Sequence, residues 1–346
     1  MKTLAAVLVE TGKPLVLEEI EIPALMKGQV LVEITFSGVC HTQLGEVRGK
    51  RGADKYLPHC LGHEGSGVVV ETGPEVTKVK SGDRVLLSWM KGSGADAPGA
   101  IYKSSRGSIN SGSITTFSKY SVISENRLSP LPEGITAREA TIFGCAVPTG
   151  MGAVINTAQA RAGQSAVIFG AGGIGLCAIA GAVIAGCSKV VAVDIKASKL
   201  AVARTMGATH CVESNGNDLL ADLRSISEGG FDIAIEASGQ TEPMAQALAA
   251  VRDRGGVAVV LGNARFGDRL MIDPRELNHG KQLRGSWGGD NKPDQDFPRY
   301  FGLYASGKLK LDPLLARTYS LQQINESLND LESGSVVRPI IDMSLN

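Results

Sequence analysis

Short apolar runs broken by glycine-bounded turns dominate the first third of the chain, at residues 4–9, 30–34, 67–71 and 84–87. Runs of that length, rich in Val, Ile and Leu, predict an all-β module reaching to about Val122. From Ser165 the period changes. Apolar runs at 166–169, 190–193, 231–236 and 257–261 read as buried parallel strands, because helices on both faces of a parallel sheet remove the polar alternation. Between them lie segments with helical spacing at 174–185, 199–206, 219–227 and 243–251, with Gly207 and Gly229-Gly230 as terminators. Strand alternating with helix predicts a doubly wound sheet. A last strand-like piece at 283–287 is followed by mixed structure over 290–346, expected to pack back on the first module. Residues 90–112, rich in Gly and Ser without periodicity, read as a long surface loop or lobe.

A chain of 346 residues exceeds the usual single-domain size, so two domains are expected. Lys plus Arg and Asp plus Glu both number 35, so no net field attracts nucleic acid or an anionic membrane, and a small-molecule partner is the default. The longest apolar run, 176–185, falls short of the roughly 20 residues that cross a bilayer, so no membrane span is expected. Residues 4–9 only faintly resemble a signal peptide, since Glu10 interrupts them and no small-residue cleavage site follows. The six scattered cysteines (40, 60, 145, 177, 187 and 211) suggest reduced thiols and a cytoplasmic location, leaving some free to bind metal.

Gly170, Gly172 and Gly175 form G-x-G-x-x-G directly after a predicted strand and, with Gly173 and Ile174, open a helix. Bare backbone there turns tightly and approaches a pyrophosphate, which sits at the positive helix end. Asp194, at the end of the next strand and 19 residues beyond Gly175, is placed to accept from the adenosine ribose diol and to repel a 2′-phosphate. NAD is therefore expected rather than NADP, although Lys196 and Lys199 nearby offset part of that repulsion.

Cys40 in Gly38-Val39-Cys40-His41-Thr42, His63 and Glu64 in Gly62-His63-Glu64-Gly65-Ser66-Gly67, and Cys145 in Gly144-Cys145-Ala146 are candidate metal ligands. Two thiolates and an imidazole suit a tetrahedral zinc with its fourth position open, the arrangement of a catalytic metal. With Gly82-Asp83-Arg84-Val85 and the Gly170 motif, in this order, these residues resemble the medium-chain zinc alcohol dehydrogenases over essentially the whole chain.

The resemblance implies a GroES-like β-barrel catalytic domain over 1–149, a Rossmann doubly wound NAD-binding domain over 150–286, and a segment 287–346 returning to the catalytic domain. It implies zinc ligands Cys40, His63 and Cys145, with Glu64 behind the metal as an occasional alternative ligand. Thr42 would take the substrate proton, His41 face the pyrophosphate, Thr149 pack near the nicotinamide, Lys199 reach the adenosine ribose and Arg338 clamp the phosphates. The implied reaction moves hydride between NAD and a primary or secondary alcohol, polyols and sugar derivatives included, through an alkoxide held on zinc. Dimers or tetramers are implied, and the pocket would lie near Thr42, Trp89, Phe143 and Trp287.

Three departures stand out. Residues 88–117 contain no cysteine, so a second, structural zinc held by four cysteines is excluded there and one zinc per subunit is expected. Gln43 stands where the family has an aspartate behind the ligand histidine, and Gly45 where some members carry a histidine that finishes a proton relay, leaving water or His41 for that step. The competing enzyme reading is a zinc-independent NADPH quinone or enoyl reductase, which would need neither Cys40 nor Cys145. A cofactor-binding module without turnover is the reading from outside enzymes.

Overall fold

The computed structural model describes residues 1–215 and 218–345, which fall into two compact units. In chain order the elements begin with β1 (Lys2–Leu8), β2 (Val16–Glu21), β3 (Gln29–Gly38), α1 (His41–Val47), β4 (His59–Cys60), β5 (Glu64–Thr72), β6 (Arg84–Ser88), β7 (Ile101–Ser104), β8 (Gly107–Asn110), β9 (Tyr120–Ser124), β10 (Leu128–Pro130) and α2 (Ala137–Thr141). They continue with α3 (Ala146–Gly152), β11 (Ser165–Phe169), α4 (Gly173–Ile184), β12 (Lys189–Asp194), α5 (Ala197–Thr205), β13 (His210–Glu213), α6 (Leu219–Ile226), β14 (Ile233–Glu236), α7 (Thr241–Ala250), β15 (Val257–Val260), α8 (Pro274–Asn278) and β16 (Gln282–Gly285). The chain closes with α9 (Pro293–Ala305), β17 (Thr318–Tyr319), α10 (Ile324–Ser333) and β18 (Ile340–Asp342). No single helix among the described residues is long and apolar enough to cross a membrane.

The first unit comprises Met1–Cys145, Lys292–Ala305 and Leu311–Asn346. The break falls after Cys145, four residues before the boundary expected at 149. Strands β1, β2, β7, β8 and β4 close a barrel, and β10, β6, β5, β3, β18 and β17 form a second sheet, with β9 also paired to β3. Alternation along β1 and β3 sends Ala6, Leu8, Val30, Val32 and Ile34 into a core shared with Phe117 and Ile341. β18 returns from the far end of the chain to pair antiparallel with β3, Ile340 opposite Gly38.

The stretch 90–112 is not the surface loop that its composition suggested. Its middle is the β7–β8 hairpin, which the barrel needs for closure, and Tyr102 and Ile109 are fully buried in a core with Ala5, Val7 and Ile20. β2 was also absent from the expected strands. Its acidic run is accommodated because the 8% exposed Glu18 pairs with Arg106 of the hairpin turn at 2.9 Å.

The second unit comprises Ala146–Asn291 and Ser306–Lys310, built on a parallel six-stranded sheet in the order β13-β12-β11-β14-β15-β16. Val167, Val191, Ala234 and Ala258 are wholly buried, as the uninterrupted apolar runs require. The strand order reverses between β11 and β14, and the crevice beyond their carboxyl ends is where such sheets bind nucleotides.

Candidate active site

Cys40 ends the loop after β3 and is the N-cap of α1, with extended backbone (φ −112°, ψ 154°). The Gln43 side-chain oxygen accepts from the Cys40 N–H at 3.2 Å, the reciprocal half of a capping box. The same amide lies against Nδ1 of His63. With its oxygen committed to the Cys40 N–H, the amide presents its nitrogen to Nδ1 and holds the plane of the ring. Gln43 therefore sits at both the helix start and the imidazole.

His63 follows Gly62, whose φ of +95° and whose hypothetical Cβ, 2.3 Å from Thr116 Oγ1, admit glycine alone. Cys145 follows the single helical turn Ile142–Gly144, which is wholly buried. Ser88 donates to the Gly144 carbonyl at 2.7 Å, and Phe143 packs on Phe301 with the rings tilted by 46° and 4.7 Å between centroids. Distant in sequence, the ligand atoms of Cys40, His63 and Cys145 all lie within 4.8 Å of one another.

The chemistry of this cluster is that of a soft cation site. His63 Nε2 is buried and has no partner, a costly state that a metal ion would relieve. Hydrogen bonding from Cys145 holds the Cys40 thiol well below its ordinary value, and the same bond, with burial, pushes Cys145 well above it. A divalent ion would take both sulfurs as thiolates and release their protons on binding. Burial acts against charge on His63, but the hydrogen bond and charge of Cys40 outweigh it and raise its pKa.

Behind the cluster, Glu64 is fully buried and receives the guanidinium of Arg338, itself 3% exposed. Burial pushes the Glu64 carboxyl up. Burial also opposes the Arg338 charge, but Glu64 and the two cysteines keep it firmly protonated. Room for this pair comes from Gly38, where a Cβ would stand 2.3 Å from Glu64 Oε1, while a Cβ on Gly144 would stand 2.4 Å from the Leu87 carbonyl oxygen. Sequence reading anticipated neither the pairing nor a buried Arg338, placing it instead at the cofactor phosphates. Thr42 is half-buried, its Oγ1 3.8 Å from the Cys40 sulfur, and His41 is exposed.

In the second unit, Gly170 takes φ +93°, and a Cβ on Gly175 would fall 1.8 Å from the Gly170 carbonyl oxygen. A Cβ on Gly172, by contrast, meets nothing within 4 Å. The loop is therefore tightly folded on its inner side and open at Gly172, the N-cap of α4, as a pyrophosphate cradle must be. Asp194 accepts from Ala171 N–H at 2.8 Å and Lys196 N–H at 2.9 Å, one bond per carboxylate oxygen, leaving each with capacity for a ribose hydroxyl. Lys199 is half-buried one turn into α5, and Thr149 on α3 is buried with an unpartnered hydroxyl. Trp287 is 81% exposed.

Comparison with known proteins agrees with this geometry. Residues 26–133 match the alcohol dehydrogenase GroES-like domain family, and residues 173–306 the zinc-binding dehydrogenase family. The class-3 alcohol dehydrogenase of Cereibacter sphaeroides is 33% identical, over 99% of this chain and 100% of its own. The chain belongs to the zinc alcohol dehydrogenase family. Among solved structures of that family, an alcohol dehydrogenase zinc-binding domain protein from Burkholderia ambifaria superposes with a TM-score of 0.90 at 31% identity, covering 99% of both chains. The benzyl alcohol dehydrogenase of Acinetobacter calcoaceticus superposes with a TM-score of 0.89 at 30% identity, again covering 99% of each. The family's two-part architecture, GroES-like and Rossmann, is the one seen here.

Proposed function

We propose that this protein is an NAD-dependent alcohol dehydrogenase whose catalytic zinc is held by Cys40, His63 and Cys145. The observation that carries the reading is the meeting of two thiols and an unpartnered imidazole nitrogen within 4.8 Å, which a zinc-independent reductase would have no use for. When bound, zinc supplies Lewis-acid polarisation of the substrate oxygen, and nicotinamide supplies the hydride acceptor. Thr42 takes the substrate hydroxyl proton, since a hydroxyl can accept one hydrogen bond while donating another. Gln43 fixes the imidazole plane through Nδ1.

Gly170, Gly172, Gly173, Ile174 and Gly175 cradle the pyrophosphate, and Asp194 and Lys199 take the adenosine ribose. Thr149 packs near the nicotinamide. Glu64 stands behind the metal, paired to Arg338. The substrate class is a primary or secondary alcohol, polyols or sugar derivatives included, exchanged with its carbonyl. One zinc per subunit follows from the absence of cysteine between 88 and 117. A homodimer or homotetramer in the cytoplasm completes the proposal.

Cys145→Ser tests it by metal analysis. Zinc should fall from about one equivalent to near none, and alcohol oxidation with it, while NADH binding persists. A full equivalent of zinc in the variant would refute the ligand assignment.

A further inference from the structure

Glu236, the last residue of β14, is fully buried in the second unit and belongs to no motif recognised in the sequence. Its backbone carbonyl accepts from Leu261 N–H at 2.9 Å and Gly262 N–H at 3.2 Å, just beyond β15. Its side-chain Oε1 accepts from Ser238 N–H at 2.7 Å, Ser238 O–H at 2.5 Å and Gly239 N–H at 2.9 Å, in the loop after β14. One residue thus ties together two successive loops at the carboxyl end of the sheet.

The loops are also in direct contact. A Cβ on Gly262 would fall 2.1 Å from Gly239 N and 2.7 Å from Glu236 Oε2, and one on Gly239 would fall 2.8 Å from the Asn263 carbonyl oxygen. The loop after β14 leans in turn on the glycine-rich loop, since a Cβ on Gly170 would stand 3.0 Å from Ser238 N. Oε2 of Glu236 is buried and unpartnered, a cost of the kind native structures keep only where something else repays it. Burial pushes this carboxyl above the ordinary glutamate range, against the pull of the donors at Oε1.

Placement decides what the tie is for. In a doubly wound sheet each half takes one mononucleotide, and Asp194, at the end of β12, assigns the adenosine half to the β11–β13 side. The other mononucleotide must then lie over the ends of β14 and β15, beside the loops that Glu236 joins. We infer that the Glu236 side chain is a positioning residue for the nicotinamide half of the dinucleotide, holding the loop at 237–239, against which the loop at 261–263 packs, in the shape that receives it. The inference rests on the NAD reading above and adds to it a residue that touches neither the glycine motif nor the metal cluster.

The test titrates full-length protein with NADH and with AMP, which carries only the adenosine half, by calorimetry and by nicotinamide fluorescence. Glu236→Ala should raise the NADH Kd by about 10-fold or more and leave the AMP Kd within about 2-fold of wild type. Glu236→Gln, which keeps an acceptor at Oε1, should restore NADH binding to within about 3-fold. If the alanine variant does not fold, Glu236→Asp, which withdraws the acceptor by one methylene, should show the same split between NADH and AMP. Equal weakening of both ligands, no weakening of either, or a glutamine variant as poor as alanine would overturn the inference. Wild type that binds neither NADH nor AMP would instead sink the NAD reading itself.

Discussion

Arg338→Met isolates the buried ion pair behind the metal cluster. Methionine approximates the length of the aliphatic part of arginine but removes the guanidinium, so Glu64, with no exposed surface, loses its partner. Breaking one side of a buried pair costs about 3 to 5 kcal/mol, because the remaining group must be left charged and unpaired or be neutralised. For a unit of this size each kcal/mol moves Tm by about 2 to 4 °C, so a fall of roughly 6 to 20 °C is expected by calorimetry. Glu64→Gln should lower Tm as well, since it strands the guanidinium. The double variant should lie well above the sum of the two losses, with a coupling of about 2 kcal/mol or more, because neither charge is then left alone. Measurements on zinc-loaded and chelator-treated protein separate this effect from metal loss. A single-variant shift under about 2 °C, or strict additivity in the double variant, would refute the idea that the two side chains stabilise each other.

Asp194→Gly should lower the ratio of NAD to NADP catalytic efficiency by removing a charge that repels a 2′-phosphate, and an unchanged ratio would place the ribose elsewhere. Glu125, 1% exposed, accepts at 2.6 Å from the N–H groups of Thr77, Lys78 and Ala95, and although burial opposes it, these donors lower its pKa. Its contribution to stability is therefore complete above the ordinary glutamate value of about 4.3 and lost as pH falls through the lower folded value. Glu125→Gln should be less stable than wild type at pH 7 and should converge on it below about pH 4, as followed by urea unfolding across pH; a constant gap would show that the carboxylate does not clamp that segment.

How much of this was legible in the chain depends on how local each determinant is. The parallel strands announce themselves because Val167, Val191 and Ala234 sit in uninterrupted apolar runs, and the glycine loop because its three glycines recur at a fixed spacing within six residues directly after one of those runs. The metal cluster was legible through its residue types and motifs, although its members meet only in three dimensions. The β7–β8 hairpin was not. Its strands are four residues long, Ile101 is 60% exposed, and only Tyr102 and Ile109 anchor it inward, too few to set up a period. β2 was masked by its three glutamates, one of which is buried by a partner 88 residues away. Arg338 shows the same limit more sharply: expected at the cofactor phosphates, it is buried against a carboxylate 274 residues distant that no local pattern announces.

The pairing of Glu64 with Arg338 gains meaning from the charge of what stands in front of it. Two cysteine thiolates and a neutral imidazole carry two negative charges, which a divalent cation cancels. A lone buried Glu64 would add a third negative charge beside the sulfurs, making full ionisation of the ligands more costly and inviting the carboxylate itself onto the metal. Arg338 cancels that charge locally, so the carboxylate can be fully buried without changing the balance at the ligands. Gly38 supplies the space in which this can happen, since a side chain there would collide with the Glu64 carboxylate. The glycine two residues before Cys40 is thus explained by a residue that need not bind the metal at all: it lets a neutralised carboxylate lie buried behind the two cysteines and the histidine.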